Sequence, residues 1–119
     1  MTSGQQLYDE AFAVETVIGV AKDEKKAAEL YKQSAAKGHL DALFRYGRCF
    51  HLGVGVAVDL ARAVELYDLA AKQGHASAQT NLGSCYYNGI GVTKDEKRAV
   101  ELFELAAEQG HARAQNNLG

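Results

Sequence analysis

Few residues in this 119-residue chain are equipped for chemistry: four histidines, two cysteines, one Ser-x-x-Lys run, two glycine-rich loops and several paired carboxylates. His39, His75 and His111 recur every 36 residues, each directly after a glycine, and a row of imidazoles could bind a metal or sense pH. Cys49 and Cys85 share that interval and invite a disulfide reading. Ser34-Ala35-Ala36-Lys37 matches the Ser-x-x-Lys pattern of penicillin-recognising enzymes. The loops Gly53-Val54-Gly55-Val56 and Gly89-Ile90-Gly91-Val92 superficially look like phosphate cradles. Asp23-Glu24 and Asp95-Glu96 supply neighbouring acids.

The elements that must position these groups follow from repetition. Residues 40–75 laid over 76–111 are identical at 18 of 36 positions, among them Gly47/Gly83, Asp59/Asp95, Ala63/Ala99, Leu66/Leu102 and Gly74/Gly110. The register runs outward through Gly19, Val20, Asp23, Ala27, Leu30, Tyr31 and Gly38, and through Ala112, Ala114, Gln115, Asn117, Leu118 and Gly119. A period of this length marks a solenoid built from one supersecondary unit. Within each unit Asp59 or Asp95 can cap a helix start, and Ala63, Leu66, Tyr67, Ala70 and Ala71 follow at helical spacing. Gly74 is a natural left-handed stop. Ala78, Leu82 and Tyr86 stripe the preceding helix, and Gly83 lets a neighbouring helix approach closely. Each unit therefore reads as an antiparallel helix pair. The glycine loop joins its helices, with positive φ at the glycines and the apolar residues tucked beneath.

That frame removes most of the chemistry. Equivalent residues of stacked pairs sit about 8 to 10 Å apart, whereas zinc ligands converge to about 2.0 to 2.1 Å from one ion, so the glycine-following histidines read as turn and packing residues. His51 has no second ligand in sequence range and reads as a surface residue. The same spacing exceeds what a disulfide tolerates, so Cys49 and Cys85 read as buried free thiols. Neither glycine loop follows a strand or ends in Gly-Lys-Ser or Gly-Lys-Thr. Ser34 aligns with core Ala70 and Ala106, and the Ser-Asp-Asn and Lys-Thr-Gly partners of a Ser-x-x-Lys enzyme are missing. The paired acids sit at helix starts, where they complement the macrodipole.

Composition agrees. Thirteen Lys+Arg against fifteen Asp+Glu give a formal net charge of −2, which excludes an electrostatic nucleic-acid or acidic-membrane binder as the default. With 47% hydrophobic and 24% charged residues the chain is neither disordered nor collagenous. Ordinary usage would give roughly six prolines, and there are none, which suits helices broken by its 12 glycines. Apolar runs are too short to span a bilayer, the first residues do not resemble a signal peptide, and two cysteines do not make a disulfide scaffold. The expected location is cytoplasmic.

The run Ala78-x-x-x-Leu82-Gly83-x-x-Tyr86-x-x-Gly89-x-Gly91-Val92-x-x-Asp95-x-x-Arg98-Ala99-x-x-Leu102-Phe103-x-x-Ala106-Ala107-x-x-Gly110, recurring from Ala42 to Gly74, resembles the Sel-1-like repeat. This is a relative of the tetratricopeptide repeat with a longer interhelical loop. The resemblance covers about residues 18 to 119. Phe103 or Tyr67 stands where that family often has a paired aromatic. In the first helix Glu10 falls where Leu82 sits and Val17 replaces Gly89, while Leu7, Ala11, Val14 and Ile18 form their own stripe, so it reads as a shifted, capping-type helix. Some Sel-1-like proteins carry one disulfide per repeat, a pattern the two cysteines here do not fit, and some have been described as β-lactamase-like.

The fold expected is all-α, a right-handed α/α superhelical solenoid. It divides into a degenerate first pair (1–38), repeats at 39–74 and 75–110, and a truncated repeat start at 111–119. The resemblance implies a non-enzymatic adaptor or scaffold with a protein or peptide partner and no cofactor or metal; a β-lactamase-like hydrolase and a structural spacer are the alternatives. Helical geometry places Ser77, Thr80, Asn81, Ser84, Tyr87 and Asn88 away from the core, with Asp41, Phe44, Arg45, Arg48, His51 and Leu52 in the preceding unit. First helices line the inner wall of such a solenoid, so Phe44, Arg45, Arg48, His51, Thr80, Asn81, Ser84, Tyr87 and Asn88 are the candidate binding residues. By the tetratricopeptide analogy, Asn81 and Asn117 resemble inner-wall residues that grip a peptide backbone. The unfinished last unit leads to an expectation of end-to-end self-association.

Overall fold

The computed structural model describes residues 2–15 and 21–110, residues 21 and 22 by backbone alone. Among these residues six helices follow in chain order: α1 (Gly4–Ala13), α2 (Ala21–Ala36), α3 (Leu40–Leu52), α4 (Leu60–Lys72), α5 (Ala76–Asn88) and α6 (Glu96–Gln109). No strand occurs among the described residues. Each helix packs on the next in sequence, α1 on α2 through to α5 on α6, which is an all-α solenoid of helix pairs. The expectations at Val17, Ile18, Gly19, Val20, His111 and Asn117, and for the repeat start 111–119, lie outside the described residues.

The starts and stops have local causes. The Asp59 and Asp95 carboxylates accept the amides of Arg62 and Arg98 as N-caps of α4 and α6, each at 3.0 Å. Gly53 and Gly89 end α3 and α5 in the left-handed region, donating to the carbonyls of Cys49 and Cys85. Two glycines are required for a second reason. A Cβ on Gly55 would lie 2.2 Å from the Glu24 carbonyl oxygen, and one on Gly91 would lie 2.5 Å from that of Leu60. Each loop thus rests directly on the backbone at the start of the previous unit's second helix, and Val54 and Val56, or Ile90 and Val92, pack beneath it.

Two apolar clusters form the core. One gathers Leu7, Ala11, Val14, Ala27, Ala28, Leu30, Tyr31, Ala42 and Cys49. The other gathers Ala63, Val64, Tyr67, Ala70, Ala71, Ala78, Leu82, Cys85 and Leu102. Gly47 and Gly83 make room for an aromatic of the paired second helix: a Cβ there would touch the Tyr67 ring at 3.0 Å and the Phe103 ring at 2.7 Å. Helix α1 is not shifted. Ser3 caps it at the repeat position of His39 and His75, so α1 begins in register, and Leu7, Ala11 and Val14 are buried. The difference lies on one face, where Gln6, Glu10 and Ala13 are exposed at positions occupied in α5 by buried Ala78, Leu82 and Cys85.

Candidate functional site

The residues equipped for reaction are engaged in structure. His39 and His75 are N-caps, accepting the amides of Ala42 and Ala78 at Nδ1, each at 3.1 Å. Ser34 is fully buried, and its hydroxyl donates to the Gly4 carbonyl, which seals it from any substrate. Cys49 and Cys85 are free and buried in different clusters. Burial, reinforced by the nearby Glu15 charge, pushes the Cys49 thiol up to about 12, and burial raises Cys85 as well. A thiol so protonated is a poor nucleophile.

The outward residues of the first helices fall into three rows that recur with the repeat. Asp9, Arg45 and Asn81 make one row, Phe12, Arg48 and Ser84 the second, and Glu15, His51 and Tyr87 the third. Neighbouring helices are cross-linked through this wall. The Arg45 guanidinium lies over the Phe12 ring at 5.1 Å, and Arg48 reaches Glu15 at 3.9 Å.

The second helices contribute a buried tyrosine to each of the first two pairs. Tyr31 Oη donates to Glu15 at 2.7 Å, and Tyr67 Oη lies 3.0 Å from His51 Nδ1 with the two rings edge-on. Burial pushes the Tyr67 phenol up to about 12, opposed by a hydrogen bond from Asn81. Burial and then the bond to Glu15 drive Tyr31 further above the ordinary phenol range, partly offset by Arg45. His51 and Asn81 therefore meet at one hydroxyl, a link between units supplied by α4. The sequence reading left His51 without a partner because Tyr67 lies 16 residues away on the paired helix.

The remaining candidates are placed as follows. Phe44 is half-buried, stacked on His75 at 5.1 Å and tilted against Tyr67 at 5.7 Å, so it joins units as well as lining the wall. Thr80 Oγ1 donates to the Ala76 carbonyl, and Asn88 Nδ2 donates to that of Ser84. Tyr87 is 49% exposed. Sequence reasoning missed Glu15 and Phe12, because repeat identity fades in the first helix, and it placed Tyr31 in the repeat without its bond to Glu15. It also missed a cleft of about 260 Å³ between α4 and α6, lined by Asp68, Lys72, Gln79, Arg98, Leu102 and Leu105. No described helix is long and apolar enough to cross a membrane.

Stacked helix pairs with close-packed glycine loops and a polar first-helix wall define a repeat-solenoid protein. The Sel1 repeat family model matches residues 17–39, 40–75 and 76–111, and the chain belongs to that family. Sel1 repeats are in general non-catalytic scaffolds that bind proteins. Among solved structures, a protective antigen of uropathogenic Escherichia coli displaying an SLR fold, c5321, is 37% identical with a TM-score of 0.84, over 97% of this chain and 25% of that one. A Sel1 repeat protein from Oxalobacter formigenes is 28% identical with a TM-score of 0.85, over 94% of this chain and 46% of that one. Helicobacter pylori cysteine rich protein B shares the fold at 24% identity and a TM-score of 0.70, with 92% of each chain covered. The chain thus spans a quarter to about half of the first two. No curated protein matches it.

Proposed function

We propose that the chain is a non-enzymatic protein-interaction module that holds a peptide or protein segment along the wall formed by α3 and α5, the concave side of the stack. The observation that carries this reading is the half-exposed Tyr87 ring on α5, a helix that also carries Asn81, Ser84 and Asn88, at the repeat position of His51 and one row from Arg48 on α3. An exposed aromatic with a guanidinium and amide groups on a rigid wall suits an extended segment, which needs one apolar anchor and several polar contacts to its backbone. Rigidity comes from the cross-links already described, so little ordering entropy is lost on binding. Arg45 and Phe44 extend the same surface, with Phe44 contributing to stability at the same time. The buried Ser34 hydroxyl weighs against the hydrolase alternative.

The test is a pull-down from native lysate with the wild type and an Arg48→Ala/Tyr87→Ala variant shown to be folded by circular dichroism. Proteins retained by the wild type and lost by the variant are the expected result. Equal retention by both, or none by either, contradicts the proposal.

A further inference from the structure

His39 and His75 occupy a position usually filled by Ser, Thr, Asp or Asn, residues whose capping oxygens do not change charge near neutral pH. Ser3 fills the equivalent position on α1, where it accepts the Gln6 amide at 3.1 Å and Gln6 Oε1 accepts the Ser3 amide in return at 2.8 Å. Among the described residues the fold therefore contains an internal control: one serine-capped first helix beside two capped by imidazole.

The hydrogen bonds assign the imidazole tautomer. Nδ1 of each ring accepts a backbone amide, so it carries no proton, and the neutral ring's hydrogen resides on Nε2. For His39 that nitrogen lies 2.9 Å from Gln5 Oε1. The Gln5 amide is held in this orientation because its Nε2 donates to Asp9 at 2.8 Å. For His75, Nε2 lies 2.6 Å from Asp41 Oδ1. Both rings also stack on an aromatic of the preceding first helix, Tyr8 at 4.6 Å and Phe44 at 5.1 Å. Each histidine is thus a three-way joint between one helix start and the previous unit.

We infer that these joints are acid-sensitive, and that the one at His39, between α1 and α3, is weakened more by protonation than the one at His75. A second proton can go only to Nδ1, turning the capping acceptor into a donor that faces the Ala42 or Ala78 amide. The cap is lost, and a positive charge is left at a helix N-terminus, where the macrodipole opposes it. The two sites differ in what resists this. His75 has the Asp41 carboxylate directly on Nε2, so a charged ring there stays in an ion pair that offsets the lost cap. α3 also faces it with Phe44, Lys72 at the end of α4 is paired with Asp68, and no acid stands in the first turn of α5. His39 meets neutral Gln5 and Tyr8 on α1, with the Asp9 charge reaching it only through the Gln5 amide. Lys37 precedes it in the turn from α2, and Asp41, in the first turn of its own helix, is bonded to His75. Protonation at His39 therefore removes a cap with no carboxylate on the ring to compensate.

The test needs no partner. In ¹⁵N-resolved imidazole spectra of the wild type at about pH 7.5, His39 and His75 should both show the Nε2–H tautomer. Lowering the pH to about 5.5, through the range where histidines charge, should cut Ala42 amide protection, corrected for intrinsic exchange, on the order of fivefold, the effect of one lost N-cap. Ala78 should lose less and Gln6, under its serine cap, least. A His39→Ser variant should keep the Ala42 amide protected at both pH values. An Nδ1–H tautomer at His39, unchanged Ala42 protection once the ring is protonated, or the same acid loss in His39→Ser would overturn the inference. Should the serine variant fail to fold, the tautomer and protection of the wild type decide the matter.

Discussion

The first helix pair and the two that follow solve the same packing problem with different side chains. α1 presents Gln6, Glu10 and Ala13 to solvent at the repeat positions where α5 buries Ala78, Leu82 and Cys85 against the pair before it. The buried tyrosine of the first pair donates to a carboxylate, Glu15, while that of the second meets an imidazole, His51. A repeat thus conserves backbone geometry and the position of each interaction, and leaves the charge at each position free to vary. The wall inherits that variation: acidic on α1, basic on α3 and neutral on α5.

Substitutions at equivalent positions should widen or close this difference. Leu82→Ala removes a fully buried side chain and should cost about 2 to 5 kcal/mol in denaturant unfolding. Glu10→Ala, at the same repeat position, should change stability by less than about 0.5 kcal/mol, since it removes only an exposed pairing with Lys26. A similar cost at both positions would show that the α1 face is packed after all.

The tyrosine pair should separate next. Tyr31→Phe removes a hydrogen bond to a carboxylate and should cost about 1.5 to 3 kcal/mol, whereas Tyr67→Phe, losing neutral partners, should cost about 1 kcal/mol. Reversal of that order would deny Glu15 its part in the first pair.

Of about the same size as the Tyr67→Phe effect is the loss of a cap: Asp59→Ala and Asp95→Ala should each cost about 1 kcal/mol, measured as the shift of the unfolding midpoint at constant slope. Two equal values would show that α4 and α6 depend on their caps alike, although only α4 is covered by a following described pair.

The thiols give a pH test of burial. Cys49 holds its proton up to about 12, while an unfolded thiol ionises near its ordinary value of about 8.5. The unfolded chain then binds fewer protons than the folded one, so stability should fall as pH rises across that interval. Cys49→Ala should flatten the slope, and an unchanged slope would argue against a buried neutral thiol. Smallest of all, Arg62→Ala should move stability by less than about 0.5 kcal/mol, because the pair with Glu65 is exposed.

Much of this was legible in the sequence, and the parts that were not share a cause. The 36-residue period, the Asp59 and Asp95 caps and the close approaches at Gly47 and Gly83 are local features, so periodicity and residue type reveal them. The imidazole caps are local too, but histidine is an unusual capping residue and the glycine before it draws attention to the turn. Phe44 sits at the margin of the apolar stripe, and only the neighbouring unit shows that it packs on His75. Glu15, the partner of Tyr31, and Phe12, on which Arg45 stacks, belong to the first helix, where repeat identity has faded and pattern matching has least to compare. Side-chain contacts between helices, within a pair as well as between pairs, were the illegible class.

The wall of α3 and α5 as a binding surface is the central claim, and mapping a bound peptide tests it most directly. A peptide selected from a random library on the immobilised chain would be titrated into the ¹⁵N-labelled protein, following amide shifts. The account predicts the largest shifts at Arg48, His51, Asn81, Ser84 and Tyr87, with loss of binding in the folded Arg48→Ala/Tyr87→Ala variant. Shifts confined to the cleft between α4 and α6, or binding unchanged in that variant, would contradict it.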